Sequence, residues 1–97
     1  MKVLMSIKPE FATKIFDGSK RYEFRRMIFK QPNVTRIVVY ASSPTQKVIG
    51  EFEIECILEH HPKELWNRTR EGAGISKGYF MEYFGTKDVG YAIRIKT

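Results

Sequence analysis

Residues 18–26 read Gly-Ser-Lys-Arg-Tyr-Glu-Phe-Arg-Arg and join two patterns of different period. Upstream of them, apolar residues recur at the spacing of a helix, at Phe11, Ala12, Ile15 and Phe16. Pro9 suits the first turn of that helix, and Gly18 suits the left-handed residue that follows many helix ends. We therefore expect a helix over Pro9–Asp17 that buries both phenylalanines and leads directly into a strand.

The strand that follows is predicted by an alternation of apolar and charged residues. The alternation places Arg21, Glu23 and Arg25 on one face of the strand, and Tyr22 and Phe24 on the other. A carboxylate between two guanidinium groups suits either a ligand site or a cluster of surface ion pairs. The pattern alone leaves both interpretations open.

The rest of the chain contains four more strand-like segments, at residues 3–7, 34–41, 48–58 and 91–96, while the charged strand extends to residue 28 or 29. Residues 34–41 are almost continuously apolar, which predicts a central strand buried on both faces. Residues 48–58 alternate clearly. One face has Val48, Gly50, Phe52, Ile54, Cys56 and Leu58, and the other has Glu51, Glu53 and Glu55.

Three features between the last two strands indicate short helices and a loop. After Pro62, residues 63–66 suit one or two helical turns, and residues 70–74 form a loop with two glycines that is the best candidate for a mobile segment. Ser76 can cap a further helix that ends at Gly85. Its aromatic residues suit the core better than a stacking surface, although a tyrosine hydroxyl can reach a cleft: Tyr79, Phe80, Tyr83 and Phe84.

These elements predict one α+β domain over residues 1–97, because about five strands are mostly not separated by helices. We expect a mixed or antiparallel sheet that curls into a small β-barrel and is flanked by two or three short helices.

Composition favours an anionic partner. Seventeen Lys and Arg against eleven Asp and Glu give a formal charge of +6 and a pI near 9.6. Nucleic acid is favoured over a membrane surface, since no basic amphipathic helix and no membrane-spanning run is present. Aromatic residues, 13% of the chain, can stack on unpaired bases. A basic surface without a specific partner is the alternative. The short apolar start predicts a first strand rather than a signal peptide, because charge returns at Lys8 and no small-residue cleavage site follows. The lone Cys56 makes a reducing cytoplasm the expected location.

Metal and cofactor sites are not expected. His60 and His61 are adjacent and point in opposite directions on an extended chain, and the lone Cys56 is predicted to face the core. A lone cysteine also predicts no intrachain disulfide. The row of three glutamates could serve acid–base chemistry, but a solvated strand face paired with a basic neighbouring strand is favoured.

The charged stretch resembles a known family signature. Residues 18–25 match the G-x-K-x-x-E-x-R pattern of the ASCH family of the PUA-like superfamily, and residues 6–9 (Ser-Ile-Lys-Pro) and 91–93 (Tyr-Ala-Ile) also resemble its members. The resemblance spans nearly the whole chain. It implies a small β-barrel flanked by helices, with a cleft beside the first helix into which the signature residues project.

The resemblance also implies functions. Family members are proposed to bind RNA in connection with transcription coactivation or translation, and bacterial relatives include an amidohydrolase of N4-acetylcytidine and a ribonuclease. Lys20 falls at the position of the amidohydrolase's catalytic lysine, whereas that enzyme's threonine partner is replaced here by Glu23. If this protein is an enzyme, Lys20 and Glu23 are the expected catalytic residues.

The first hypothesis is therefore an RNA- or nucleotide-binding module of transcription or translation. Lys8, Lys20, Arg25 and the adjacent Arg26 would meet phosphate or carbonyl oxygens, and Glu23 would accept from a base amine or orient Arg25. A small hydrolase acting on a modified nucleoside or on RNA is the alternative. A regulatory domain that senses a small ligand is a second alternative.

Overall fold

The computed structural model describes residues 1–96, which form five strands and three α-helices as predicted for an α+β domain. In chain order the elements are β1 (Lys2–Ile7), α1 (Pro9–Asp17), β2 (Tyr22–Arg25), β3 (Arg36–Ala41), β4 (Lys47–His60), α2 (Pro62–Thr69), the 3-10 turn Arg70–Gly72, α3 (Lys77–Phe84) and β5 (Gly90–Ile95).

The sheet is mixed, with the strand order β1-β3-β4-β5-β2. β1 pairs with β3 in parallel, and the other pairs are antiparallel. Since β1 and β2 are its two edges, the sheet does not close by hydrogen bonding into the expected barrel. The edges nevertheless approach each other, because Nη1 of Arg25 on β2 lies 3.4 Å from the Ser6 carbonyl oxygen on β1. The result is a barrel-like sheet with one open seam.

α1 has the predicted bounds. Lys8 precedes it without a side-chain cap, and Gly18 ends it at a φ of +88°, which favours glycine. The helix buries Ala12 and Ile15. The prediction that Phe16 is buried was wrong, since the residue is 44% exposed. Its ring instead covers Gly50 on β4, where a Cβ atom would lie 2.9 Å from the ring.

Two strands differ from their predictions. β2 ends at Arg25, three or four residues earlier than expected, and the chain then bends away. β3 lies inside the sheet but is not buried on both faces, because Ile37, Val39 and Ala41 are buried and alternate with half-buried residues. Apolar composition was a misleading signal there, since one face of the strand has only partial cover.

β4 contains an irregularity that changes which residues face the core. Its pairing with β5 shifts between Ile54 and Cys56, so Ile57 lies opposite Ile93 and shares its face. A bulge of this kind reverses the alternation beyond it. Cys56 is therefore exposed rather than core-facing, and the prediction of a single apolar face from residue 48 to residue 58 was wrong.

The segment after β4 is more ordered than its composition predicts. α2 is eight residues long, and the His61 side chain caps it by accepting a hydrogen bond from the Lys63 amide at 3.2 Å. The glycine-containing loop begins with the 3-10 turn, and the Gly72 carbonyl accepts from the Arg21 amide at 2.7 Å. Ala73 is buried. The segment predicted to be mobile is thus tied to the start of β2.

Two hydrophobic clusters lie on opposite faces of β5, which contributes Ile93 to one and Ala92 to the other. The first cluster joins α1 to the sheet and consists of Met5, Ile7, Ala12, Ile15, Ile37, Val39, Phe52, Ile93 and Ile95. The second cluster joins α2 and α3 to β2 and β5 and consists of Tyr22, Phe24, Leu65, Ala73, Phe80, Phe84 and Ala92.

The row of glutamates on β4 is a structural ion-pair face, as predicted. Arg36 on β3 contacts Glu51 and Glu53, and Glu55 pairs with Arg94 on β5 at 3.0 Å. Exposed pairs of this kind contribute little stability each but favour the correct neighbours in a sheet. Among residues 1–96, no helix has the length and apolar character that a membrane span requires.

Candidate functional site

A cleft opens at the seam between the two edges of the sheet. Its volume is about 160 Å³. The end of β1, α1, β2 and α3 all contribute to its walls. The lining residues are Ser6, Ile7, Lys8, Phe11, Lys20, Glu23, Phe24, Arg25, Ile75, Tyr79 and Tyr83.

Lys20 lies deepest among the charged groups of the cleft and is only 2% exposed. It stands between the end of α1 and the start of β2, where the Gly18 turn redirects the chain. Its Nζ donates to the Ala73 carbonyl oxygen at 2.7 Å, and lies 4.7 Å from the ring centre of Phe24 and 5.4 Å from that of Phe11. Ring faces attract cations, so these contacts offset part of the cost of burying the ammonium group.

Burial also changes the proton affinity of the two central groups. Desolvation lowers the pKa of Lys20 to about 8, although the negative charge of Glu23 opposes the shift. Desolvation likewise raises the pKa of Glu23, against the positive charges of Lys20 and Arg25. The two pKa values therefore approach each other, which is the kind of perturbation that clusters at functional sites.

Arg25 joins Glu23 to the opposite edge of the sheet. The Nη1 atom of Arg25 lies 3.4 Å from the Glu23 carboxylate and 3.4 Å from the Ser6 carbonyl oxygen. The Arg25 side chain is 31% exposed, whereas that of Glu23 is 8% exposed. The guanidinium group thus covers the carboxylate and still meets solvent at the seam.

Two tyrosines of α3 complete the cleft. The Tyr79 hydroxyl accepts a hydrogen bond from Lys8 Nζ at 3.1 Å, and its ring packs edge-on against Phe11. The Tyr83 hydroxyl donates to the Phe24 carbonyl oxygen at 3.2 Å. Burial raises the pKa of Tyr83 still further above neutral pH, and its hydroxyl remains a hydrogen-bond donor. Phe80, between them in sequence, lies in the second cluster.

The structure brings four of the five predicted site residues into one cleft: Lys8, Lys20, Glu23 and Arg25. Arg26 is outside the lining, but its guanidinium group lies 5.0 Å from the ring centre of Tyr83. Arg21, which the alternation placed beside Glu23, lines a different groove.

Sequence reasoning missed the Ala73 carbonyl, because a backbone acceptor 53 residues away has no signal in composition. The sequence did indicate that a tyrosine hydroxyl of α3 can reach a cleft, and both Tyr79 and Tyr83 line it.

The family model of the ASCH domain matches residues 5–95, which is nearly the whole chain. The chain belongs to the ASCH domain family. The resemblance inferred from the signature is thereby confirmed, and the cleft described above is the one that the signature residues of this ASCH domain line.

Relatives and solved structures agree with this assignment. An ASCH domain-containing ribonuclease of Zymomonas mobilis is 36% identical over 83 residues, which cover 86% of this chain and 56% of the relative. A crystal structure of ASCH from Zymomonas mobilis superposes with a TM-score of 0.88 at 34% identity, covering 97% of this chain and 66% of that one. A tyrosine-to-phenylalanine variant of ZmASCH gives a TM-score of 0.90, covering 100% and 70%.

Two further relatives come from Ureaplasma parvum. The chain is 33% identical over 92 residues to an ATP synthase subunit alpha, and the match covers 11% of that protein. It is 29% identical over 91 residues to the large ribosomal subunit protein uL22, and the match covers 29% of that protein. The chain spans little more than half of the ribonuclease and much less of these two proteins. The ASCH domain is thus similar to one part of several larger chains.

Proposed function

We propose that this ASCH domain binds single-stranded RNA and takes one unpaired base or nucleotide into the cleft. The observation that supports the proposal best is the convergence of Lys20, Glu23 and Arg25 in one pocket, with Lys8 at its margin. Three cationic groups against one carboxylate make the cleft basic, like the chain as a whole.

The polar groups of the cleft suit the edge of a base together with a phosphate. An ammonium group has three N–H donors, and among residues 1–96 Lys20 uses one in a hydrogen bond, to the Ala73 carbonyl. The remaining donors can meet a carbonyl or phosphate oxygen. Glu23 can accept from an exocyclic amine, while Arg25 and Lys8 at the margin can contact the backbone of the strand.

The size and walls of the cleft favour a single ring. A cavity of roughly 150 Å³ holds one benzene molecule, so the 160 Å³ here suits one planar ring and leaves the rest of a strand outside. Phe11 and Tyr79, whose ring centres are 5.3 Å apart, offer apolar and aromatic surface beside it. Proteins that recognise unpaired bases stack them on aromatic rings in this way.

Binding of a fluorescent 12-nucleotide single-stranded RNA, followed by anisotropy, tests the proposal. We expect the affinity to fall steeply with salt, because phosphate contacts release counterions. Lys20→Met keeps the aliphatic stem and should weaken binding about tenfold or more, which corresponds to about 1.4 kcal/mol. Lys47→Ala is the matched control, since Lys47 is exposed and lies outside the cleft. RNA binding that is absent, or unaffected by Lys20→Met, would contradict the proposal.

A second candidate is hydrolysis of RNA or of a modified nucleoside such as N4-acetylcytidine. The observation that favours it is the pair of buried titratable groups, in which burial lowers the pKa of Lys20 to about 8 and raises the pKa of Glu23. A lysine that is partly neutral near physiological pH can act as a base or nucleophile. A relative from Zymomonas mobilis is an ASCH domain-containing ribonuclease, which supports the RNA-cleaving form of this candidate.

Product analysis separates the two candidates. The wild type and Lys20→Met are incubated with the RNA and, separately, with N4-acetylcytidine, and the products are resolved by chromatography and mass spectrometry. An enzyme should release product with the wild type and lose most of this activity in the variant, with a rate that rises toward the pKa of Lys20. RNA binding without product from either substrate would leave the binding function and exclude hydrolysis of these two compounds.

A further inference from the structure

A second groove lies beyond the segment that holds Lys20. It runs between the C-terminal end of α2 with the 3-10 turn and the paired strands β2 and β5, and its volume is about 570 Å³. Four arginines line it, Arg21, Arg68, Arg70 and Arg94. We call it the arginine groove. It is larger than the cleft, so it suits a chain passing through it better than a single enclosed ring.

Two of these arginines are oriented by carboxylates that leave their outer nitrogens outside the ion pair. Arg68 pairs through Nε with Glu64 at 2.7 Å, and Arg94 pairs through Nε with Glu55 at 3.0 Å. The terminal nitrogens of a guanidinium group carry four of its five N–H donors. The Nε atom thus holds each side chain in place, while the two terminal nitrogens, which form the fork that can bind a phosphate, take no part in these ion pairs.

The other contacts in the groove also position donors. Arg21 donates from Nη2 to the Ile95 carbonyl oxygen at 3.3 Å, and Arg94 donates from Nη1 to the Tyr22 hydroxyl at 3.4 Å. Within the described part of the chain, Arg21 and Arg70 form no salt bridge. Prior orientation lowers the entropy cost of binding, because fewer side-chain rotations are lost when the ligand arrives.

Charge in the groove favours an anion even when the nearby carboxylates are included. Four guanidinium groups face three carboxylates, those of Glu55, Glu64 and Glu71. Glu55 and Glu64 are already paired with the Nε atoms of Arg94 and Arg68. The lining thus combines four guanidinium groups with one lining carboxylate, Glu71, and this positive excess suits contact with successive phosphates rather than with a neutral ligand.

The arginine groove and the cleft share one wall. Lys20 and Arg21 are consecutive, yet Lys20 lines the cleft and Arg21 lines the groove. The segment between the two cavities is held by both residues, since Lys20 Nζ donates to the Ala73 carbonyl and the Arg21 amide donates to the Gly72 carbonyl. A strand with one base in the cleft can therefore reach the groove by crossing this single segment.

We propose that the arginine groove binds the phosphodiester backbone of the RNA strand whose base occupies the cleft. This inference rests on the proposed function and adds a second contact region to it. The competing structural role is that Arg68 and Arg70 only stabilise the C-terminal end of α2, where positive side chains interact favourably with the helix dipole.

The experiment uses the double variant Arg68→Ala/Arg70→Ala with the 12-nucleotide RNA, beside Lys20→Met and the Lys47→Ala control. Affinity is measured over a series of salt concentrations, and folding is checked by circular dichroism and thermal melting. We expect the double variant to bind about tenfold more weakly. The slope of log affinity against log salt concentration should be smaller in magnitude by about 1.4, because each phosphate contact with a single strand contributes about 0.7 to that slope and two contacts are lost.

The outcomes distinguish the two proposals. If Lys20→Met weakens binding while the double variant keeps both the affinity and the salt slope of the wild type, the cleft binds RNA and the groove does not. A lower melting temperature with unchanged affinity identifies the helix-stabilising role and also overturns the inference. If the wild type itself does not bind RNA, both proposals fail. Arg68→Lys/Arg70→Lys keeps the charge without the forks, and should recover the salt slope but only part of the affinity.

Discussion

The Lys20 side chain shows how one residue links stability to function in this fold. Burying an ammonium group is unfavourable, and here one carbonyl oxygen, two aromatic rings and the carboxylate of Glu23 offset only part of the cost. The remaining cost appears as the lowered pKa of about 8. A residue that is expensive to bury, and that lines a cleft, is typical of binding and catalytic sites.

The lowered pKa of Lys20 predicts a pH-dependent stability. The unfolded chain holds the Lys20 proton up to about its ordinary pKa of 10.5, whereas the folded protein releases it near pH 8. Unfolding between these values takes up a proton, so the free energy of unfolding rises with pH across this interval. The 2.5-unit difference corresponds to a gain of about 3 kcal/mol by pH 10.5.

Urea denaturation of the wild type and Lys20→Met from pH 7 to pH 10.5 measures this effect. The difference in free energy of unfolding reports on Lys20 together with Glu23, the carboxyl whose pKa the Lys20 charge lowers, because groups away from this pair titrate alike in both proteins. It should change in favour of the wild type above pH 8. A difference that is constant over this range would show that Lys20 keeps an ordinary pKa in the folded state.

At the scale of elements, the segment after α2 matters because it forms the wall between the cleft and the arginine groove. Gly74 has a φ of +70°, and a Cβ atom there would lie 2.7 Å from the Cβ and Cγ atoms of Lys20. Glycine is thus required both by the backbone conformation and by the close approach of Lys20. Gly72, the other glycine of this segment, likewise packs closely, since a Cβ atom there would lie 2.9 Å from the Cβ atom of Arg21.

Gly74→Ala should therefore lower the free energy of unfolding by about 1–3 kcal/mol, through backbone strain and displacement of Lys20. Gly78→Ala is the matched control. Gly78 lies within α3, and a Cβ atom there would meet nothing within 4 Å. Because alanine favours a helix over glycine, Gly78→Ala should raise stability by about 0.5–1 kcal/mol. Equal effects of the two substitutions in urea denaturation would contradict the tight packing of the wall.

At the scale of the whole molecule, β5 contributes buried residues to both hydrophobic clusters and so connects them. Ile93 and Ala92 are consecutive and fully buried on opposite faces. Loss of either cluster uncovers one face of the strand, so the two halves of the domain should unfold together.

Unfolding followed with two probes, one local and one for the whole domain, tests this coupling. Trp66 packs against the second cluster and reports on it by fluorescence, while circular dichroism reports on the whole domain. Ile37→Val in the first cluster should cost about 0.5–1.5 kcal/mol and shift both transitions equally. The exposed Val48→Ala should leave both within about 0.5 kcal/mol. A fluorescence transition that stays in place when Ile37 is changed would show that the clusters unfold independently.

Local patterns predicted most elements of this fold well. α1 needs only its apolar spacing, Pro9 and Gly18, all of which act within a few residues. The family signature likewise lies within eight residues and correctly indicated the ASCH domain and Lys20, Glu23 and Arg25 as cleft residues. The predictions that failed, such as the side chain of Cys56 and the end of β2, depend on how one strand is paired with another.

The site itself depends on long-range contacts that no local period encodes. The open seam exists because the two edges of the sheet are β1 and β2, and Arg25 meets Ser6 across it. Lys20 is buried because the chain around Ala73 returns to cover it. Periodicity fixes the face of a residue relative to its neighbours along the chain. Only the tertiary packing decides which distant backbone atoms that face will meet, and hence whether the charged stretch forms a surface or a cleft.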